Sequence, residues 1–225
     1  MDKSNKGILY IVATPIGNMG DITLRALETL KAVNLIVCED TRVTKKLLDR
    51  YEINVHTSSY HQHTKNKRTE EIIEKLKNGQ NIALVTDAGT PGVSDPGNIL
   101  VKEAVENDIA VVPIPGATAL SALISVAGID MQKFVFLGFP PHKKGRQTFF
   151  KEALAFEIPV VYYESPYRFI KNLELLKEFE CKKNIIVGRE LTKMFEEIKR
   201  GSIVEIVEYF GQKERIKGEL VVILY

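Results

Sequence analysis

The stretch Asp87-Ala-Gly-Thr-Pro-Gly-Val-Ser-Asp-Pro-Gly97 has the composition of a ligand-holding loop. Gly89, Gly92 and Gly97 let a backbone approach a bound molecule closely, and Pro91 and Pro96 hold the loop's shape. An apolar run, Ile82 to Thr86, precedes it and reads as a strand. A helix with Ile99, Leu100, Ala104 and Val105 at helical spacing follows, with Asp95 as expected N-cap and Pro96 as first helical residue. Two other loops also follow apolar runs and carry Gly and Pro: Thr14-Pro-Ile-Gly-Asn-Met-Gly-Asp21 and Pro113-Ile-Pro-Gly-Ala-Thr-Ala119. Ligands bind beyond the carboxyl ends of strands in open α/β sheets, so the three loops together could line one crevice. The alternative is a set of ordinary glycine-rich turns.

None of these loops is a phosphate loop. GxxxxGK[ST] and GxGxxG are absent, as are HExxH, CxxC and GxSxG. A ligand with polar ends but no phosphate fits what is left. The histidines have no Cys, Asp or Glu partner at ligand spacing, so no metal is expected. Net charge is only +2, yet the cations are clustered. Arg42, Lys45, Lys46 and Arg50 fall on one expected helix, with His61, His63, Lys65, Lys67 and Arg68 in one loop and His142, Lys143, Lys144 and Arg146 in another. Such clusters attract an anionic polymer such as RNA, or are simply solvated surface. Tyr162-Tyr-Glu-Ser-Pro-Tyr-Arg168 sets polar aromatics at a strand end, where they stack on a base or pack at a domain edge.

The elements that must position these residues alternate. Strands are expected at Gly7–Ala13, Leu35–Cys38, Val55–Ser58, Ile82–Thr86 and Ile109–Ile114, with helices between them. Asp21 reads as an N-cap, Gly79 as a C-cap, and Tyr60 to Arg68 as a polar loop. The pattern restarts with strands at Phe134–Gly138, Pro159–Tyr163, Asn184–Gly188 and Leu220–Leu224. Ser165 and Pro166 are expected to open a helix, and Ser202 with Glu205 to form a capping box. Alternation argues α/β architecture with mainly parallel sheets. The 225 residues allow two domains, expected as 1–115 and 116–225. Ile109 to Ile129 is uncharged, but Pro113, Pro115 and Gly116 divide it into strand and helix rather than a membrane span. Cys38 and Cys181 are expected to be reduced thiols of a cytoplasmic protein.

Six strings occur in one order: Thr14-Pro-Ile-Gly-Asn18, Glu39-Asp-Thr-Arg42, Asp87 to Gly97, Pro115-Gly-Ala-Thr118, Tyr163-Glu-Ser-Pro166 and Arg189-Glu-Leu-Thr-Lys193. That order resembles the bacterial family that methylates a cytidine ribose 2′-oxygen in 16S ribosomal RNA. The family belongs to the tetrapyrrole-methylase-like class of S-adenosylmethionine enzymes (class III methyltransferases). The resemblance runs from about Ile8 to Leu224 and implies two α/β domains, a methyl donor in the cleft between them, and a homodimer. It implies donor contacts from Pro15 and from Asp87, Ala88, Gly89, Val93, Ser94, Asp95 and Pro96 in the central loop. Gly116, Ala117, Thr118 and Ala119 would add a turn, and the second domain would add Leu137, Phe139, Tyr163 and Leu191. Longer members carry a helical tail where this sequence stops at Tyr225. This chain is then a short natural form or a shortened one, which leaves tail-dependent RNA binding open.

On that resemblance, Asp87 accepts from a donor hydroxyl or ammonium, and catalysis is mainly alignment of the 2′-oxygen with the methyl group. A base taking the hydroxyl proton adds roughly 10²–10⁴-fold. Glu39, Asp40 and Asp95 are candidates that spacing does not separate. RNA contacts are expected from Arg42, Lys45, Lys65, Arg68, Lys143, Lys144 and Arg146, with the small ribosomal subunit as partner. The competing readings are a tetrapyrrole carbon methylase and a donor- or RNA-binding protein without turnover.

Overall fold

The computed structural model describes residues 6–60, 66–95, 97–213 and 215–225. The chain divides into two units, Met1–Thr118 and Ala119–Tyr225.

The first unit holds β1 (Ile8–Val12), α1 (Leu24–Ala32), β2 (Leu35–Cys38), α2 (Thr41–Arg50), β3 (Thr57–Ser59), α3 (Asn66–Lys77), β4 (Ile82–Leu84), α4 (Asn98–Glu106) and β5 (Ala110–Ile114). Its sheet has the order β3-β2-β4-β1-β5, every pair parallel. The apolar strands feed two cores, one per face. Leu9, Leu35, Val37, Ile82 and Leu84 pack with Ile72 and Leu76 of α3 and Leu100 and Ala104 of α4. Val12, Ile36, Cys38, Ala83 and Ile114 pack with Ala26 and Leu30 of α1 and Leu47 and Leu48 of α2. Neighbours β1 and β4 therefore lead to helices on opposite faces. Their carboxyl ends form the switch point where open sheets of this kind hold ligands.

The second unit holds α5 (Ala119–Ser125), β6 (Val135–Phe136), α6 (Arg146–Ala155), β7 (Val160–Glu164), α7 (Phe169–Glu178), β8 (Asn184–Arg189), β9 (Glu197–Ser202), α8 (Ile203–Gly211) and β10 (Leu220–Leu224). Its sheet has the order β6-β7-β10-β8-β9. Here the expectation of a mainly parallel sheet is corrected. Only β6 and β7 pair in parallel; β7–β10, β10–β8 and β8–β9 are antiparallel. The sequence pattern lacked β9, whose Glu-Ile-Lys-Arg-Gly-Ser sequence has the charged character of a guarded edge strand. The 190–196 loop turns the chain straight back from β8, so no crossover helix intervenes. Strand β10, buried at every position, fills the gap between β7 and β8. One core lies under α6, α7 and α8, with Phe150, Tyr162, Phe169 and Phe210 fully buried.

Several boundaries shift for local reasons. Asp21 lies in a short 3-10 turn, and Thr23 caps α1 by accepting from Ala26 N–H. Helix α4 starts at Asn98 behind Gly97 rather than behind Asp95, and no side chain caps it. Gly97 has φ +143°, a conformation that releases the chain from the loop. The turn after β7 delays α7 to Phe169, so Ser165 does not cap it; the Ser165 carbonyl accepts from both Arg168 and Phe169 N–H. Lys67 and Arg68 belong to α3, not to a loop. The capping box of Ser202 and Glu205 forms as expected, and Gly79 ends α3 at φ +82°. The uncharged 109–129 stretch contains β5 and the short α5; among the described residues no helix is long and apolar enough to cross a membrane.

Candidate active site

In the first unit, the loops after β1, β2, β4 and β5 are bonded to one another. Thr14 and Gly89 exchange backbone hydrogen bonds: Thr14 N–H donates to Gly89 O (2.9 Å), and Gly89 N–H to Thr14 O (3.1 Å). The buried Thr14 hydroxyl donates to Thr86 O (3.1 Å). Thr90 Oγ1 donates to Ala117 O (3.2 Å), joining the β4 loop to the β5 turn. Asp40 N–H donates to Asp87 Oδ1 (3.0 Å), joining the β2 loop to the same segment. Pro15 is buried beside Thr14. The three glycine loops and Glu39–Arg42 thus share one rim.

Gly89 sits at φ +84°, and a Cβ built there would stand 3.5 Å from Ile16 and 3.9 Å from the Ala117 carbonyl. A side chain would fit there only in ordinary contact; the left-handed backbone is what favours glycine. Gly116 packs tightly: a Cβ would meet the Ala13 Cβ at 3.0 Å. Ser94 takes φ +63°, an unusual left-handed conformation for a non-glycine residue, inside the same loop. Pro96 and Lys65 lie outside the described residues, as do His61 and His63.

A pocket of about 380 Å³ opens at this rim, lined by Glu39, Asp40, Thr41, Arg42, Ser59 and Asp87. Asp95 is not among its lining residues. Asp40 is the N-cap of α2: its Oδ1 accepts from Arg42 N–H (2.8 Å) and Nε (3.0 Å), and its Oδ2 from Arg42 NH2 (2.6 Å). Hydrogen bonds from the Arg42 guanidinium, and then from its backbone N–H, hold the Asp40 carboxyl at about 2. Ser59 was missed in the sequence because its strand is only Thr57–Ser59; a hydroxyl at a strand end was the available signal. Cys38 lies buried just before this loop, and burial pushes its thiol up.

Lys45, Lys46 and Arg50 are exposed along α2. Arg68 is engaged internally, with NH1 on Glu71 at 2.6 Å and NH2 on the Ser58 hydroxyl. Among the described residues no group of three or more His, Cys, Asp or Glu side chains is placed to hold a metal ion.

In the second unit, β6, β7 and β8 run the same way, since β10 is antiparallel to both β7 and β8. Phe139, Tyr163 and Leu191 therefore share the carboxyl edge of that sheet. Leu137 N–H donates to Val161 O (3.0 Å) and Tyr163 N–H to Gly138 O (2.9 Å), which carries the β6–β7 pairing into the loop. The Tyr163 ring meets Phe136 edge-on at 5.0 Å and Phe139 at 5.3 Å. Leu191 is buried; a Cβ on Gly188 would stand 3.1 Å from it.

Beneath that edge, Glu164 is fully enclosed, accepting from Ser165 N–H (2.7 Å) and from Asn172. Burial pushes its carboxyl up, against those bonds and the nearby Arg168 and Arg146. Arg168 NH1 donates to Pro140 O (3.0 Å), tethering the basic loop. Lys143 and Lys144 are exposed there, while Arg146 opens α6 half-buried, its Nε enclosed.

A doubly wound parallel unit followed by a mixed-sheet unit, with glycine loops at the strand ends, defines a class. The family of tetrapyrrole (corrin/porphyrin) methylases matches residues 8–207. The fold is similar to a solved diphthine synthase, with TM-score 0.76 and 13% identity over 97% of this chain and 90% of that one. It is also similar to a cobalt precorrin-4 methyltransferase, with TM-score 0.72 and 14% identity over 96% and 94%. At such identities the likeness is one of fold.

Curated relatives are much more similar in sequence. Proteins named ribosomal RNA small subunit methyltransferase I are 45% identical in Mesorhizobium japonicum (95% of this chain, 74% of the relative) and 46% in Synechocystis (97% and 78%). The Bacillus subtilis relative of that name is 44% identical, over 99% and 76%. This chain belongs to the ribosomal RNA small subunit methyltransferase I family.

Proposed function

We propose that this chain methylates the 2′-oxygen of a cytidine in 16S rRNA, using S-adenosylmethionine. The observation that carries the reading is the 44–46% identity, over nearly the whole chain, to relatives named for that ribosomal subunit. A homodimer in the cytoplasm is part of the same proposal.

The residues present fit the donor. Three glycine-bearing loops meet at Gly89, and beside them the exposed Asp87 adds a carboxylate suited to an ammonium or a sugar hydroxyl. Pro15, Ala88, Val93, Ser94 and Asp95, with Gly116 to Ala119, would complete that side. Leu137, Phe139, Tyr163 and Leu191 would supply apolar surface for the adenine. When bound, S-adenosylmethionine supplies an electrophilic methyl group on a sulfonium. The chain's own task is to align the acceptor hydroxyl and to take its proton. Glu39 lines the pocket and Asp95 lies in the donor loop, so both stand as acceptors of that proton. Exposed Lys45, Lys143 and Lys144 are suited to RNA phosphates.

The test uses labelled S-adenosylmethionine with 30S subunits, free rRNA and a tetrapyrrole as alternative acceptors. Label should enter 30S subunits, and alkaline hydrolysis of the RNA should leave one missing band at a cytidine, because a methylated 2′-oxygen cannot attack the next phosphate. A complete ladder with label on the base, or transfer to the tetrapyrrole alone, overturns the proposal.

A further inference from the structure

The pocket at the end of β2 gives Asp40 a role other than proton acceptor. We infer that Asp40 is a positioning residue: its carboxylate fixes the Arg42 guanidinium as a fork at the pocket mouth, and the fork's outer edge holds a phosphodiester of the RNA strand. This rests on the reading that rRNA is the substrate.

Three donors of one arginine converge on this carboxylate. Arg42 N–H and Nε reach Oδ1 at 2.8 and 3.0 Å, and NH2 reaches Oδ2 at 2.6 Å. Nothing of this is enclosed on the arginine side: the Arg42 side chain is 87% exposed. Water screens an exposed ion pair, so it adds little to stability. Holding a long side chain in one pose also costs rotamer freedom, so the pair does little for the fold. It does remove the mobility of a guanidinium whose five N–H donors form a rigid fork matching a phosphate. Among the described residues no hydrogen bond engages Arg42 NH1, and the side chain that carries it is exposed.

The rest of the pocket sets the orientation of the ligand. Glu39 and Asp87 are carboxylates, and Thr41 and Ser59 are hydroxyls. Such walls repel a phosphate and accept from a sugar hydroxyl. A phosphodiester therefore stays outside, on Arg42, with Lys45 and Lys46 exposed further along α2. The start of α2 carries the positive end of its helix dipole, which favours the same placement. The sugar then turns its hydroxyl inward. Asp40 itself is badly placed to take a proton, because both of its oxygens already accept from Arg42. Held at about 2 by those bonds, its carboxylate is also a weak base at neutral pH.

The experiment measures steady-state methylation of unmethylated 30S subunits with Asp40→Asn, Arg42→Lys and the double variant. Asparagine still caps a helix, and the backbone bond from residue 40 to Asp87 survives, while the charged clasp on Arg42 is lost. Lysine keeps the charge and loses the fork. The expected result is a KM for 30S raised about tenfold in each single variant, the loss of one charge-assisted hydrogen bond, with kcat and its pH profile nearly unchanged. The double variant should be no worse than either single one, since both remove the same device. Donor affinity by calorimetry should be unchanged.

A kcat fall of 10²–10⁴-fold in Asp40→Asn with KM unchanged would make Asp40 the proton acceptor and overturn the inference. Unchanged KM in all three variants would reduce the pair to surface charge. If Asp40→Asn proves unstable, Arg42→Lys alone decides, because it leaves the cap intact. Wild-type protein inactive on 30S would overturn the rRNA reading itself, an outcome separate from the others.

Discussion

Asp40 in the first unit and Glu197 in the second are both held at about 2, by different surroundings. Asp40 answers to one arginine that is 87% exposed. Glu197 has a side chain only 14% exposed and accepts from Arg189 Nε (2.8 Å), from Lys213 Nζ (2.8 Å) and from Tyr209. Burial pushes its carboxyl up, and Lys213, Tyr209 and Arg189 together outweigh that. Water screens the first pair, whereas the second operates where an ion is costly to strand. Equal acidity thus has unequal consequences: the enclosed cluster fastens β9 to β8 and α8, and the exposed pair sets the direction of a side chain.

The widest separation between the two should come from removing each carboxylate. Glu197→Gln leaves Lys213 and Arg189 partly enclosed without their counter-charge, a loss of roughly 2–3 kcal/mol in urea unfolding. Asp40→Asn should leave urea unfolding close to wild type, because water screens the exposed pair and asparagine still caps α2. The folded-state carboxyl of Glu197 lies below its ordinary value of 4.5, so its contribution is present above that pH and is lost as pH falls from 4.5 towards 2. Wild-type stability should decline through that window, and Glu197→Gln should flatten the decline. Equal losses in the two variants would break the contrast.

A smaller pair of effects separates strain from ligand contact. Gly89 in the first unit has φ +84° and Gly128 in the second has φ +72°. Alanine at either position should cost about 1 kcal/mol for the left-handed backbone. Around Gly128 an added Cβ meets nothing within 4 Å, whereas at Gly89 it comes within 3.5 Å of Ile16 and 3.9 Å of the Ala117 carbonyl, where the loops meet. Calorimetry with S-adenosylmethionine should show weakened binding for Gly89→Ala and wild-type binding for Gly128→Ala. Equal donor affinity in the two folded variants would remove Gly89 from the proposed site.

The same contrast governs what the sequence disclosed. The first sheet was legible because strands covered on both faces read as unbroken apolar runs, as Leu35–Cys38 does. The second was misread where β9 carries Glu197, Lys199 and Arg200, side chains that disguise a strand. Caps were legible where side chain and backbone agree, as at Ser202 and Glu205. They were misplaced where a turn intervenes, as at Ser165, or where glycine releases the helix, as at Gly97. Glu39–Arg42 and the Asp87 loop stood out as polar ends of apolar strands. The bond from Asp40 N–H to Asp87 was not legible, because it depends on β2 lying next to β4, an adjacency that chain order does not reveal.

The smallest effect should come from the thiols, one in each unit. Methylation of a pyrimidine carbon commonly calls for a thiolate, which needs an accessible and electropositive setting. Cys38 is buried, its Sγ directed at Ser58 O at 3.7 Å, and burial raises its thiol; Asp40 and Asp87 act in the same direction. Cys181 is half-buried and is raised by burial as well. Neither is poised as a nucleophile. Replacing both by serine should leave turnover on 30S subunits within about twofold, since the chemistry of a hydroxyl acceptor asks only for alignment and a base. A serine oxygen at 38 sits on a shorter bond and stands farther from the Ser58 carbonyl than the 3.7 Å of Sγ, so the buried hydroxyl should cost about 1–3 kcal/mol of stability without touching turnover. A folded double variant that loses turnover by more than tenfold would place a thiolate in the reaction, and the acceptor would then be a carbon rather than the 2′-oxygen.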